Sequence, residues 1–122
     1  MDPQNRKSMH TADSFRETLI EISRSSLFII NSSFSHIKTI TYQGHILINT
    51  TDYCTVIIQN SHFNNNTGYY GLMFIGNSVE IEVFNSTFSG NKALALDQVG
   101  GGCFKIGNNV TLHIRNSTFI SN

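Results

Sequence analysis

Glu80 and Glu82 are the first residues whose type and spacing suggest chemistry, two carboxylates two places apart in a 122-residue chain with eight acidic residues in all. Paired carboxylates hydrolyse glycosides, and larger oxygen clusters hold calcium. Either role needs acidic groups that converge. The other acids of the chain's repeated part, Glu21, Asp52 and Asp97, are scattered. On a strand, Glu80 and Glu82 share one outward face, where pairing with a neighbouring strand contributes about a few tenths of a kcal/mol. We therefore assign no catalytic residue. His10, His36, His45, His62 and His113 lack metal-ligand spacing, so no metal is assigned. Gly100-Gly101-Gly102 leads into a strand rather than a helix, which is not the setting of a phosphate loop, and no cofactor is implied. Tyr69 and Tyr70, adjacent in a loop, could stack on sugar rings and are the candidate binding residues.

Composition narrows the classes. Eight Lys+Arg balance eight Asp+Glu, so no basic field is available to hold nucleic acid. No apolar run reaches the roughly 18 residues of a membrane span, and Met1–Lys7 is polar, with no apolar signal stretch. The polar share is mostly uncharged, with 14 Asn, 14 Ser and 11 Thr. The apolar share is β-preferring: 15 Ile and 9 Phe against 7 Leu and 3 Ala. That balance argues against a helical bundle.

The elements that must position these residues repeat. Leu27–Phe34, Val56–Phe63, Ile81–Phe88 and Leu112–Phe119 share one pattern, in which a four-residue β-preferring run is followed by Asn-Ser and then by Phe three places after Asn. The Asn-to-Asn steps are 29, 25 and 31 residues. A Gly-led strand precedes the last three, at Gly44–Ile48, Gly71–Ile75 and Gly102–Ile106, and Thr18–Ile22 reads as a degraded first copy. Gly71–Asn91 and Gly102–Asn122 align without gaps, identical at ten of 21 positions. Length varies mainly in the connection from Phe to the next Gly, as in a rigid coil with one tolerant loop.

A unit this short, with two or three strands and no helical period, predicts an all-β chain: a right-handed parallel β-helix, or solenoid, of about four rungs stacked at ~4.8 Å. The rungs are expected at about 18–37, 44–66, 71–91 and 102–122. Residues 1–17 stand outside the repeat, either disordered or as a short capping helix from Phe15, since Ser14-Phe-Arg-Glu17 fits a capping box. The chain ends on a repeat motif, which predicts a piece of a longer solenoid, with flanking rungs, or end-to-end self-association.

Strand alternation assigns the columns. Leu27/Ile29, Val56/Ile58, Ile81/Val83 and Leu112/Ile114 point inward, extended by Cys54, Val79 and Val110. Ile46/Ile48, Met73/Ile75 and Phe104/Ile106 do so from the Gly-led strand. Phe34, Phe63, Phe88 and Phe119 form an aromatic stack. Asn31, Asn60, Asn85 and Asn116 form the structural ladder, since Asn accepts a left-handed turn and identical amides can bond from rung to rung. Asn66, Asn91 and Asn122 offer a second ladder, interrupted by Ile37. Phe28, Ile30, Leu47, Ile57, Leu72, Phe74 and Phe84 face outward, more apolar surface than a soluble monomer usually shows. Glu82 should neighbour His113 and Glu80 neighbour Thr111, with a cation–π contact between Arg115 and Phe84.

Cys54 points inward and Cys103 outward, on rungs ~9.6 Å apart, too far for a disulfide. Six sequons begin at Asn31, Asn49, Asn65, Asn85, Asn109 and Asn116. Asn31, Asn85 and Asn116 are expected to be buried in the ladder, whereas Asn49, Asn65 and Asn109 fall in turns open to modification in a secretory cell.

These residues resemble the right-handed β-helix repeats of the pectin-lyase-like superfamily, above all those of polymorphic outer membrane proteins, with their Gly-Gly-Ala-Ile-type strand and Phe-x-x-Asn motif. Phe63–Asn66, Phe88–Asn91 and Phe119–Asn122 match the second motif, and Gly101-Gly102-Cys103-Phe104 approximates the first. The resemblance covers residues 18 to 122. It implies a non-enzymatic module of a surface or secreted protein, extracellular or at the cell surface, that presents the loops Ser35–Gln43, Thr67–Tyr70 and Lys92–Gly101 for adhesion or glycan contact. Its partner would be a glycan or cell-surface ligand. The alternative it implies is an incomplete part of a polysaccharide lyase or hydrolase.

Overall fold

Four-residue β-preferring runs closed by Asn-Ser fold here into coils that lie one on another, each described strand paired with its counterparts in the adjacent coils. The computed structural model describes residues 19–39, 48–68, 71–93 and 102–122. Rung 1 holds β1 (Ile20–Ile22), β2 (Ser26–Ile30), β3 (Ser33–Ser35) and β4 (Lys38–Thr39). Rung 2 holds β5 (Ile48–Thr50), β6 (Cys54–Gln59), β7 (His62–Asn64) and β8 (Thr67–Gly68). Rung 3 holds β9 (Met73–Ile75), β10 (Val79–Phe84), β11 (Thr87–Ser89) and β12 (Lys92–Ala93). Rung 4 holds β13 (Phe104–Ile106), β14 (Thr111–Arg115) and β15 (Thr118–Ile120).

The strands form four parallel sheets along the axis: β1-β5-β9-β13, β2-β6-β10-β14, β3-β7-β11-β15 and β4-β8-β12. The protein is an all-β parallel β-helix. In the second sheet Leu27, Val56, Ile81 and Leu112 are register partners, as are Ile29, Ile58, Val83 and Ile114. The fourth sheet is absent from the sequence reading. Its strands are two residues long and fall within what read as the loops at 35–43, 67–70 and 92–101. Between the described strands of successive rungs lie residues 40–47, 69–72 and 94–103.

The first sheet corrects a register. Ile48 pairs with Met73, and Met73 with Phe104, two places from the alignment that set Gly44 against Gly71. A shift of two keeps each side chain on its face, so Ile48 remains inside, 1 % exposed. Leu72 and Cys103, expected outside, are buried in the core. Each precedes its strand, at a corner where alternation no longer holds. Ile106 and Ile114, expected inside, are exposed, because no described rung lies beyond them.

Three columns fix the interior. The Phe34, Phe63, Phe88 and Phe119 rings stack nearly parallel, with centroids 5.0, 4.7 and 4.6 Å apart. Phe104 meets Phe88 and Phe119 edge-on. Asn66 and Asn91 are buried. Asn66 Nδ2 donates to Asn91 Oδ1 at 3.0 Å, and Asn91 Nδ2 to Asn122 Oδ1 at 2.8 Å. Each Oδ1 of this ladder also accepts a backbone N–H from the rung before: Ile37 to Asn66, Asn66 to Asn91, Asn91 to Asn122. The third column is serine. The backbone N–H of Ser32, Ser61 and Ser86 donates to the Oγ of Ser61, Ser86 and Ser117, 3.1 Å in each case.

Asn31, Asn60, Asn85 and Asn116 take the left-handed turn, with φ between 48° and 55°. Their side chains are exposed, not buried, because a left-handed residue leaving the strand swings its side chain outward. Asn85 Nδ2 still donates to Asn60 Oδ1, at 2.7 Å and on the surface. Gly90 shows how closely the corners fit. Its φ is +66°, the same left-handed turn that His36, Asn65 and Ser121 hold in the other rungs at 57°, 56° and 53°, and the outer end of the Asn65 side chain lies where a Cβ would stand.

Candidate functional site

At the corner between the first and second sheets, Arg24, Tyr53, Ser78 and Asn109 occupy equivalent turns, all left-handed, with φ of 52°, 55°, 59° and 56°. The backbone N–H of Arg24, Tyr53 and Ser78 donates to the carbonyls of Asp52, Asn77 and Asn108 in the following rung, at 2.9, 3.2 and 2.9 Å. The backbone therefore repeats while the side chains do not. The size falls from Arg and Tyr to Ser and Asn, and the difference opens a groove of about 490 Å3 along the axis.

Tyr53 and Thr55 from rung 2, Ser78 and Glu80 from rung 3, and Asn109 and Thr111 from rung 4 line it. Thr55, Glu80 and Thr111 are register partners at the start of the second sheet, so their outward side chains form one wall. Tyr53, 66 % exposed, forms the other end. The Arg24 guanidinium lies 5.6 Å from the Tyr53 ring centre. Arg24 belongs to rung 1 and does not line the groove, which spans rungs 2–4; its cation lies within reach of the ring.

The groove combines an aromatic face, three hydroxyls, one carboxylate and one amide. An aromatic plane packs against the apolar face of a flat ring, and convergent hydroxyl, amide and carboxylate groups fix its orientation. Tyr53 escaped the sequence reading because it has no partner of its own kind in the repeat. Its signal was an aromatic residue in a turn column otherwise polar. Tyr69 and Tyr70 lie outside the described residues.

Glu80 and Glu82 are both exposed on the open outer face of the second sheet, and only Glu80 lines the groove. Glu82 pairs in register with His113, and Phe84 with Arg115, whose guanidinium lies 5.2 Å from the Phe84 ring centre. Glu21, on the first sheet, accepts from Asn49 Nδ2 at 3.2 Å. Asp97 lies outside the described residues. Among the described residues, no group of three or more His, Cys, Asp or Glu could hold a metal ion. The structural columns, Asn31, Asn60, Asn85 and Asn116 on the surface and Phe34, Phe63, Phe88 and Phe119 within, do not line the groove.

Cys54 and Cys103 are free thiols, both buried. Burial pushes the Cys103 thiol from 9.0 up to about 12, against a hydrogen bond with Asn91 that favours the thiolate. The thiolate is the nucleophile, so Cys103 should alkylate roughly a thousandfold more slowly than an exposed thiol near neutral pH. Timed iodoacetamide labelling of the native protein, read by peptide mass, checks this. The sign for stability follows from the same shift. The folded state holds the proton longer than the unfolded chain does, so this contribution is full below pH 9.0 and is lost as pH rises toward about 12.

No protein-family model matches the chain, and no curated protein or solved structure is significantly similar to it.

Proposed function

We propose that the chain is a non-enzymatic β-helix module of a surface or secreted protein, and that its role is glycan contact. The observation that carries this reading is the corner groove, lined by Tyr53, three hydroxyl side chains, Glu80 and Asn109 across rungs 2 to 4. A shallow, polar, open site with one aromatic wall suits a sugar chain lying along the helix axis. Three rungs span ~9.6 Å, enough for more than one sugar unit. Glu80, the one charged side chain in the groove, favours neutral sugars and repels acidic ones. The stretches 69–72 and 94–103, where the length variation between rungs 2 and 4 falls, and 40–47 before rung 2 would add adhesive contacts. The resemblance of the repeat to pectin-lyase-like and polymorphic outer membrane protein repeats belongs to the same proposal.

Binding of the purified chain to an array of neutral and acidic glycans tests it. Neutral glycans should be retained, and Tyr53→Ala should weaken binding about tenfold or more, the equivalent of about 1.4 kcal/mol, with an unchanged sheet spectrum and melting transition. Release of reducing or unsaturated sugar from the bound glycans would replace the module with the enzyme. Undiminished binding by Tyr53→Ala would remove the groove from the site.

A further inference from the structure

Six sequons look alike in the sequence, but the fold separates them. Asn49 sits in β5 with Nδ2 committed to Glu21 Oε2, and its Oδ1 is sealed from solvent without a partner. Asn85 has Nδ2 committed to Asn60 Oδ1. Asn65 lies with Oδ1 over the Gly90 backbone, in the space a Cβ would take. Asn65 and Asn85 are also exposed and left-handed, but the hydroxyl residues two places on, Thr67 and Thr87, are half-buried. Asn31, Asn109 and Asn116 hold the same kind of turn, and each has an exposed hydroxyl residue two places on, Ser33, Thr111 and Thr118.

We propose that Asn31, Asn109 and Asn116 are the positions at which the folded chain accepts an asparagine-linked sugar, and that Asn49 is closed to it. The chemistry of the acceptor decides this. The amide Nδ2 must be free to attack the anomeric carbon of an activated sugar. A bond forms from Nδ2 to that carbon, the bond from the carbon to the diphosphate leaving group breaks, and the amide proton passes to a base. A side chain that points outward from a turn can enter a transferase site without disturbing a strand. Asn49 cannot do so without breaking its bond to Glu21 and opening the first sheet between β5 and its neighbours.

Asn109 is the position of most consequence, since it lines the corner groove. A sugar linked there would lie along Thr111 and Glu80 and compete for the space that a free glycan takes. That consequence rests on the proposed function of the groove. The acceptor pattern does not.

The test uses the folded protein as it is, with a soluble asparagine glucosyltransferase and UDP-glucose, followed by peptide mapping by mass. The expected result is a hexose increment on the peptides carrying Asn31, Asn109 and Asn116, and none on the peptide carrying Asn49. A synthetic peptide spanning residues 45–55, offered to the same enzyme, should be modified, which shows that the fold and not the local sequence protects Asn49. Modification of Asn49 in protein that keeps its native sheet spectrum would overturn the proposal, as would an unmodified Asn109. Glycan binding measured separately on the unmodified protein distinguishes failure of the groove reading from failure of this one.

Discussion

Asn91→Ala is expected to destabilise the fold by about 3–5 kcal/mol, a large part of the ~5–15 kcal/mol that holds a domain of this size together. Asn91 is fully buried, at 0 % exposure. Its Oδ1 accepts both the backbone N–H and a side-chain N–H of Asn66, at 3.1 and 3.0 Å. Its Nδ2 donates to Phe63 O at 2.9 Å and to Asn122 Oδ1 at 2.8 Å. Alanine leaves two donors of Asn66 inside the protein without an acceptor, each costing about 1–3 kcal/mol. Water cannot enter a column packed between rungs to replace them. Asn85→Ala, which removes one surface bond to Asn60, should cost less than about 1 kcal/mol. Urea unfolding of the two variants beside the parent chain compares them directly. Equal losses would mean that the inner and outer asparagine columns have been confused.

Phe88→Ala should cost a similar amount, about 3–5 kcal/mol. Phe88 is 0 % exposed, stacked on Phe63 and Phe119 and met edge-on by Phe104. Removing the ring opens a void that rung 3 cannot close, because its backbone is pinned by parallel pairing on both sides. Phe119→Ala removes the same side chain from a position 38 % exposed, with described rungs on one side only. It should cost about three-fifths as much, in proportion to the burial lost. Thermal melts of both variants, compared at their midpoints, check the ratio. Repeat proteins are nearly one-dimensional, so an inner rung should outweigh an outer one.

The second and third sheets were legible in the sequence because Asn-to-Phe spacing never varies. One fixed offset per rung is enough to place Glu82 beside His113 and Phe88 beside Phe119, and the register follows. The first sheet was legible only in its face. Gly44 precedes its strand by two more residues than Gly71 and Gly102 do, and aligning the glycines moved the register by two, which alternation cannot detect. The Asn31, Asn60, Asn85 and Asn116 column was read with the right residue type and the wrong side, whereas the second ladder, Asn66, Asn91 and Asn122, stacks inside as expected. Asn31, Asn60, Asn85 and Asn116 needed φ near +50°, and that conformation itself sends the amide outward. Asn66, Asn91 and Asn122 lie beyond the short Phe strand, where the chain turns the next corner and the side chain folds back beneath Phe34 O, Phe63 O and Phe88 O. The serine column went unread although Ser follows Asn in every copy, since hydroxyls are ordinary turn residues and only stacking gives them a second partner. The groove could not be read at all. It comes from a difference between rungs, Tyr53 above Ser78, and a repeat pattern records only what the rungs share.

The most direct measurement of the stacked arrangement is proton NMR of the aromatic rings, with assignments taken from single Phe→Leu variants. Nuclear Overhauser contacts should join Phe34 to Phe63, Phe63 to Phe88 and Phe88 to Phe119, with none from Phe34 to Phe88 or Phe119. A contact that skips a rung, or antiparallel backbone contacts between Cys54–Gln59 and Val79–Phe84, would contradict the parallel coil on which the ladders and the groove depend.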